Sequence, residues 1–257
     1  MSGYRLCRTD AAEKPYYIEN IGLNVFSLEE LCYYFVHDTA LLDETIMNKT
    51  LTAWLDEELH LNQLARALEK LLADGKNLTD FVLTILREDG YLSHNEQQNF
   101  RALLTKMSGE PREVRLKKKA DALVKCGKIS GAIEVYRKIL ELPGLKADEV
   151  FKAAVSHNMG VAFIRLFKYR EALECFEKAL AFSYTGAYLK SYLYAYALCK
   201  PRGKYEEKLE EMGVDQKTRD EVEKELQEAS HFKGEEPEDK DRYLEGLVKA
   251  YHKAADA

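Results

Sequence analysis

Along most of the chain apolar residues recur at every third or fourth position, the spacing of one buried stripe on a helix. The first clear helix is predicted over 28–36 and is opened by Ser27-Leu28-Glu29-Glu30. There the serine hydroxyl accepts from the third helical N–H and Glu30 reaches back, as in a capping box. Leu31, Tyr34 and Phe35 face inward from this helix, with Glu29 and Glu30 outside. Short helices are expected over 40–47 and 50–59, the second holding Trp54. Leu61, Leu64, Ala65, Leu68, Leu71 and Leu72 form the stripe of a helix over 61–73, which Gly75 ends. Phe81, Val82, Ile85 and Leu86 are the inward face of 78–87, and Gly90 breaks the chain again. Ser93-His94-Asn95-Glu96 is a second capping box, opening a helix with Phe100, Leu103, Leu104 and Met107 on one face. Ahead of these, 15–18 and 23–26 read as extended segments lying on the helices that follow. Residues 27–108 are thus expected to form a bundle of short helices.

Gly109 and Pro111 mark a domain boundary, because together they stop a helix. Beyond it, helices are predicted over 113–126 and 130–142, then two within 156–184, joined by a turn near Phe167 to Tyr169. Further helices follow over 187–199, nearly apolar all round, and over 205–212. A mostly charged helix over 215–229 has a thin stripe, Val222 and Leu226; a charged, turn-rich loop spans 231–240. The last helix, over 241–255, sets Leu244, Leu247, Val248 and Tyr251 on one face.

Composition sharpens this picture modestly. The 257 residues are 46% hydrophobic and 32% charged, with few glycines and prolines, which suits a helix-rich protein. No run of about eighteen uncharged apolar residues is present, so no membrane span is expected. The first residues lack an apolar signal core, and cytoplasmic location is the default expectation. The cysteines are Cys7, Cys32, Cys126, Cys175 and Cys199, widely spaced and without a C-x2-C pair, so they read as thiols in a reducing compartment. The net charge of −6 lies wholly in residues 201–257, which carry 11 basic against 17 acidic residues. Residues 111–130 run the other way, with seven basic and two acidic. Overall acidity, with no groove-reading element, argues against nucleic acid as a partner.

The stretch 156–184 carries a specific spacing: Gly160-x2-Phe163, then Ala172-x3-Phe176-x2-Ala179. It resembles the tetratricopeptide repeat, a helix–turn–helix unit in which small residues let two helices approach and aromatic residues fill the space beside them. Met159 and Gly160 stand where that pattern has Leu-Gly; Ser156 stands in its Trp place and Tyr184 in its Pro place. A weaker likeness runs through Ala120-x2-Leu123 and Ala132-x3-Tyr136-x2-Ile139, with Lys119 polar where Leu is usual. A third, fainter one begins after Gly186. The likeness covers about 113–200. It implies an all-α protein in three parts: an N-terminal helical domain over 1–110, tetratricopeptide-like repeats forming a short superhelix over 111–200, and acidic helices over 201–257 that end in a capping helix.

In the resembled family the first helix of each pair lines a concave groove. Carried onto this chain, the groove face holds Lys117, Lys118, Asp121 and Lys125 in the first repeat. In the second it holds His157, Asn158, Val161 and Arg165, and in the third Tyr188, Tyr192 and Ala195. Cations and an amide beside tyrosines suit a peptide with an acidic group or a free C-terminus, with Asn158 and Arg165 as the first donors. The implied function is that of a protein–protein interaction adaptor or scaffold binding a short peptide or a partner's helix. An enzyme or small-ligand regulatory domain within 27–108 is the alternative. Occupation of the groove by the chain's own acidic end, with Glu235, Glu236, Glu238 and Asp239, is a third possibility.

Catalytic signals are thin. Glu57-x2-His60 and Glu228-x2-His231 share the spacing of di-iron helices, but the further inward glutamates such a site needs are not legible. Phosphate-binding glycine loops, a G-x-S-x-G elbow and H-E-x2-H are absent from the sequence. The expectation is a protein without catalytic residues, bound metal or cofactor, with no membrane contact; the sequence does not fix its oligomeric state.

Overall fold

The computed structural model describes residues 10–75, 77–142, 148–230 and 239–255. The chain divides into two compact units, with the change between Arg115 and Leu116.

The first unit begins with a hairpin. Strand β1, Tyr16–Ile18, pairs antiparallel with β2, Leu23–Val25, in the register Tyr16 opposite Val25. Gly22, at φ +54°, takes the left-handed position of the tight turn between them. Tyr16, Ile18 and Val25 are buried, so one face of the hairpin lies on the helices. Polar side chains fasten it. The Trp54 indole N–H donates to the Lys14 carbonyl at 2.8 Å, and the Asn48 amide donates to the Tyr16 hydroxyl at 2.9 Å. The helices are α1 (Leu28–His37), α2 (Lys49–Glu57), α3 (Asn62–Ala73), α4 (Leu78–Asp89) and α5 (His94–Ser108). α4 is central: α1, α3 and α5 all pack on it, and Phe81, Val82 and Ile85 are fully buried there.

Several local expectations change in this unit. The segment expected as a helix over 40–47 forms two single 3-10 turns, Thr39–Leu41 and Glu44–Ile46. At the start of α1 the Glu30 N–H donates to the Ser27 hydroxyl as expected, but the Glu30 carboxylate accepts from Phe26, one residue before the cap. Glu29, expected outside, is buried. Leu103, expected inward, is exposed on α5. The box at Ser93 is complete, with both its bonds formed.

The second unit is a run of antiparallel helix pairs. α6 (Arg112–Lys125) precedes α7 (Ile129–Leu140), and α8 (Glu149–Arg165) precedes α9 (Tyr169–Phe182). α10 (Gly186–Cys199) precedes α11 (Arg202–Glu211), followed by α12 (Gln216–Ser230) and α13 (Lys240–Ala255). From α7 onward the helices stack in order: α7 on α8, α8 on α9, α9 on α10, and α10 against α11 and α12. Small residues set the spacing. Ala132 and Ala172 are fully buried, and a Cβ on Gly160 would stand 2.6 Å from the Phe176 ring. No real side-chain contact is that short, so α8 and α9 cross this closely only because residue 160 is glycine.

The end of the unit is closed by α12 rather than by the terminal helix. Val222 on α12 is fully buried. Lys190 on α10 bonds Glu221 at 2.7 Å, Arg202 bonds Glu223 at 2.5 Å, and the Tyr194 hydroxyl donates to Glu225. α13, read from its stripe as the covering helix, leaves Tyr243, Leu244, Leu247 and Val248 exposed. A stripe states that a helix has an apolar face; it does not state what covers that face. The side chain of Tyr251 and the acidic residues Glu235, Glu236 and Glu238 lie outside the described residues.

Candidate partner-binding face of the repeats

The first helices of the three pairs, α6, α8 and α10, carry polar side chains that meet in a continuous seam. Asp121 on α6 is its centre. The Lys117 ammonium, one turn earlier, donates to one carboxylate oxygen at 2.8 Å. The other oxygen accepts from the Tyr136 hydroxyl of α7 at 2.5 Å and from the Asn158 amide of α8 at 2.9 Å. Burial alone would raise the carboxyl's pKa; the bonds from Lys117, Tyr136 and Asn158, with the Lys117 charge, outweigh burial and hold it below its ordinary value. Tyr136 responds in reverse: burial and the neighbouring carboxylate push its hydroxyl well above the usual range.

His157 continues the seam. One ring nitrogen lies 3.5 Å from the Asn158 side-chain oxygen, and the other lies 2.9 Å from the Ser191 hydroxyl on α10. The Ser191 hydroxyl also donates to the Ala187 carbonyl, so the pair orders one turn of α10. The imidazole is flanked by the Phe176 ring at 5.3 Å and the Tyr188 ring at 4.8 Å. Burial against these rings pushes its pKa down, and the Asn158 contact only partly opposes that.

Of the residues expected on this face, Lys117, Asp121, His157, Asn158 and Tyr188 are brought together. Val161 is half-buried on the same helix. Lys118 and Lys125 are exposed on α6. Arg165 is exposed and donates across the pairs to the Val124 carbonyl at 3.0 Å. Asn158 and Arg165, expected as first donors to a ligand, therefore already donate within the chain. Tyr192 and Ala195 are buried, and Tyr192 packs beside Tyr196 at 5.8 Å, in the core rather than on the seam. Tyr136, read from the sequence as a packing residue of the weaker repeat, joins the seam through its hydroxyl, and Ser191 joins it without having been singled out. Ser191 had a signal: it lies 34 positions after His157, which is the repeat's own period.

Elsewhere, Glu57 ends α2, while His60 sits outside the helices in a left-handed conformation at φ +56°. Glu228 lies in α12, and His231 falls outside the described residues. Among the described residues no group of three or more His, Cys, Asp or Glu stands close enough to hold a metal ion. Cys175 and Cys199 are free thiols, Cys175 buried and Cys199 half-buried. No helix among the described residues is long and apolar enough to cross a membrane.

A family model described as tetratricopeptide repeat matches residues 153–183. That segment is most of α8, the turn and all of α9, the pair closed by Gly160 and Phe176. Neither a curated protein nor a solved structure matches the chain. Over this segment the chain is similar to the tetratricopeptide repeat, within an all-α fold whose sheet is a single short hairpin among the described residues.

Proposed function

We propose that the chain is an interaction adaptor that holds a short peptide or a partner's helix across the face formed by α6, α8 and α10. The observation that carries this reading is the seam from Lys117 through Asp121, Asn158 and His157 to Ser191, which links the three first helices into one polar surface. Repeats of this family generally mediate binding of protein partners. Lys117, Lys118 and Lys125 around Asp121 favour a ligand with an acidic group or a free C-terminus, which would draw Asn158 and Arg165 away from their present acceptors. Tyr188 supplies apolar area beside His157; Tyr192 supports it from the core. The reading assigns no catalytic residue, cofactor or metal, and places the protein in the cytoplasm, in keeping with the free thiols of Cys175 and Cys199. It gives the chain three working parts: 1–110, the repeats over 111–200, and the acidic helices over 201–257.

One observation supports the alternative, a small-ligand domain at the N-terminus. A cavity of about 310 Å³ lies beneath the hairpin, with Tyr16, Tyr34, Asp43, Asn48 and Thr45 in its wall. Its size is at the lower limit of small-molecule sites. A photo-crosslinking residue placed at Val161 separates the two readings. Crosslinks from Val161 to partners captured from cells support the repeat face; partners that crosslink only from Tyr17, beside the cavity, contradict it.

A further inference from the structure

The turns inside the helix pairs carry a charge pattern of which the proposed groove takes up Lys125 and Arg165 and leaves the rest. Residues 125–130, 165–170 and 199–204 span these turns, and they hold eight Lys or Arg and no Asp or Glu, on a chain of net charge −6. The turns lie on one edge of the second unit. Arg165, at the end of α8, bonds the carbonyl of Val124 at the end of α6. Cys199, at the end of α10, feels the charges of both Lys200 and Arg170. Arg202 and Lys204 are neutralised by Glu206, Glu223 and Glu207. Lys125, Lys128, Arg165, Lys168, Arg170 and Lys200 are exposed, and none of them is held in an ion pair among the described residues.

Phe167 stands in the middle of this edge, and neither backbone nor packing accounts for it. Its φ is +57°, the left-handed region, where a bulky residue is strained. The turn demands that conformation: the Phe167 N–H donates to Ile164 and the Lys168 N–H to Phe163. The first pair, α6–α7, meets the same demand with glycine. Gly127, at φ +76°, stands five residues before Ala132, as Phe167 stands five before Ala172. In return for the strain the phenylalanine buries little. It is 76% exposed, and its ring contact among the described residues is edge-on to Tyr169 at 6.3 Å. Strained, exposed residues of this kind mark contact sites.

We infer that the turn edge centred on Phe167 is a second docking surface, for an acidic segment of a partner protein that carries an apolar side chain. The apolar side chain packs on the Phe167 ring, and the carboxylates take Lys168, Arg170, Lys200 and their neighbours. A strip of six cations on an acidic chain suits a short acidic segment, whereas nucleic acid is tracked by broadly basic domains. The surface shares Lys125 and Arg165 with the proposed concave face, but its centre, Phe167 with Lys168, Arg170 and Lys200, lies outside the Asp121–Asn158–His157 seam, so it stands whether or not that face binds a peptide.

The test is fluorescence anisotropy of the full chain with three probes: a short peptide of glutamates around two leucines, the same peptide with serines for the leucines, and an oligothymidylate of equal charge. The leucine peptide should bind, more weakly as salt rises, with the serine peptide about fivefold weaker. Phe167→Gly should lower affinity about fivefold while raising the melting temperature, which separates lost contact from lost fold. Lys168→Glu with Arg170→Glu should lower it about tenfold or more. No binding of the leucine peptide, equal affinity in Phe167→Gly, or tighter binding of the oligothymidylate would each overturn the inference. So would loss of binding in Asn158→Ala, which would move the peptide to the concave face.

Discussion

The pairs α6–α7 and α8–α9 solve the same packing problem with different chemistry. Counting from the shared spacing, Ala120 corresponds to Gly160, Asp121 to Val161 and Tyr136 to Phe176. In the second pair a ring packs directly against a glycine, and the contact is wholly apolar. In the first, the equivalent ring carries a hydroxyl, and the residue beside the small position is the aspartate that accepts from it. A buried hydroxyl needs a partner, so tyrosine at 136 goes with aspartate at 121 as phenylalanine at 176 goes with valine at 161. The apolar version matches the family model, and the polar version lies outside the matched residues. The polar version is also the one that reaches across to α8 through Asn158. One repeat thus emphasises packing and the other linkage between repeats.

This comparison can be broken by substitution. The largest effect is expected from Phe176→Ala, which empties the space over Gly160 and should cost about 3–5 kcal/mol in chemical denaturation. Gly160→Ala comes next. Helix propensity alone would favour alanine by about 1 kcal/mol, but the new methyl meets the Phe176 ring, and overpacking should leave a net loss of about 1–2 kcal/mol. An unchanged or raised melting temperature in Gly160→Ala would mean the crossing is looser than described. Tyr136→Phe removes one charge-assisted bond from Asp121 and should cost about 1–2 kcal/mol. The same change made with Asp121→Val should cost less than the two singles added together, because the pair is one unit.

The seam also predicts a pH dependence. His157 and Asp121 both have pKa values held below their ordinary ones of 6.5 and 3.8. The unfolded chain therefore binds protons before the folded one does. Stability should be whole above about pH 6.5, decline first as His157 resists protonation, and decline again below about pH 4 through Asp121. His157→Gln should flatten the first decline and spare the second. The smallest effect concerns Ser156, fully buried in α8 with a hydroxyl that has no hydrogen-bond partner among the described residues. Ser156→Ala should raise stability by about 1 kcal/mol, read as a higher denaturation midpoint at unchanged slope.

Helix positions were legible because each apolar stripe is local. The α8–α9 pair was legible further, down to which residues touch, because the alternation of small and large side chains is itself the packing rule. The seam was only half legible. Lys117 and Asp121 are one turn apart, but Asp121 meets Asn158 across 37 positions and His157 meets Ser191 across 34. Such bonds depend on how the pairs stack, which no local pattern encodes. Tyr192 misled for a related reason: α10 is apolar nearly all round, so periodicity could not tell its exposed side from its core side. In the N-terminal unit the hairpin strands are three residues each, too short for alternation to register.

The proposed role of the repeat face is tested most directly by the affinity of a captured protein partner for the full chain and for Asn158→Ala combined with Arg165→Ala. The account predicts at least about a tenfold rise in Kd, with the helical circular-dichroism signal retained. An unchanged Kd would contradict it, and would move the partner away from the face formed by α6, α8 and α10.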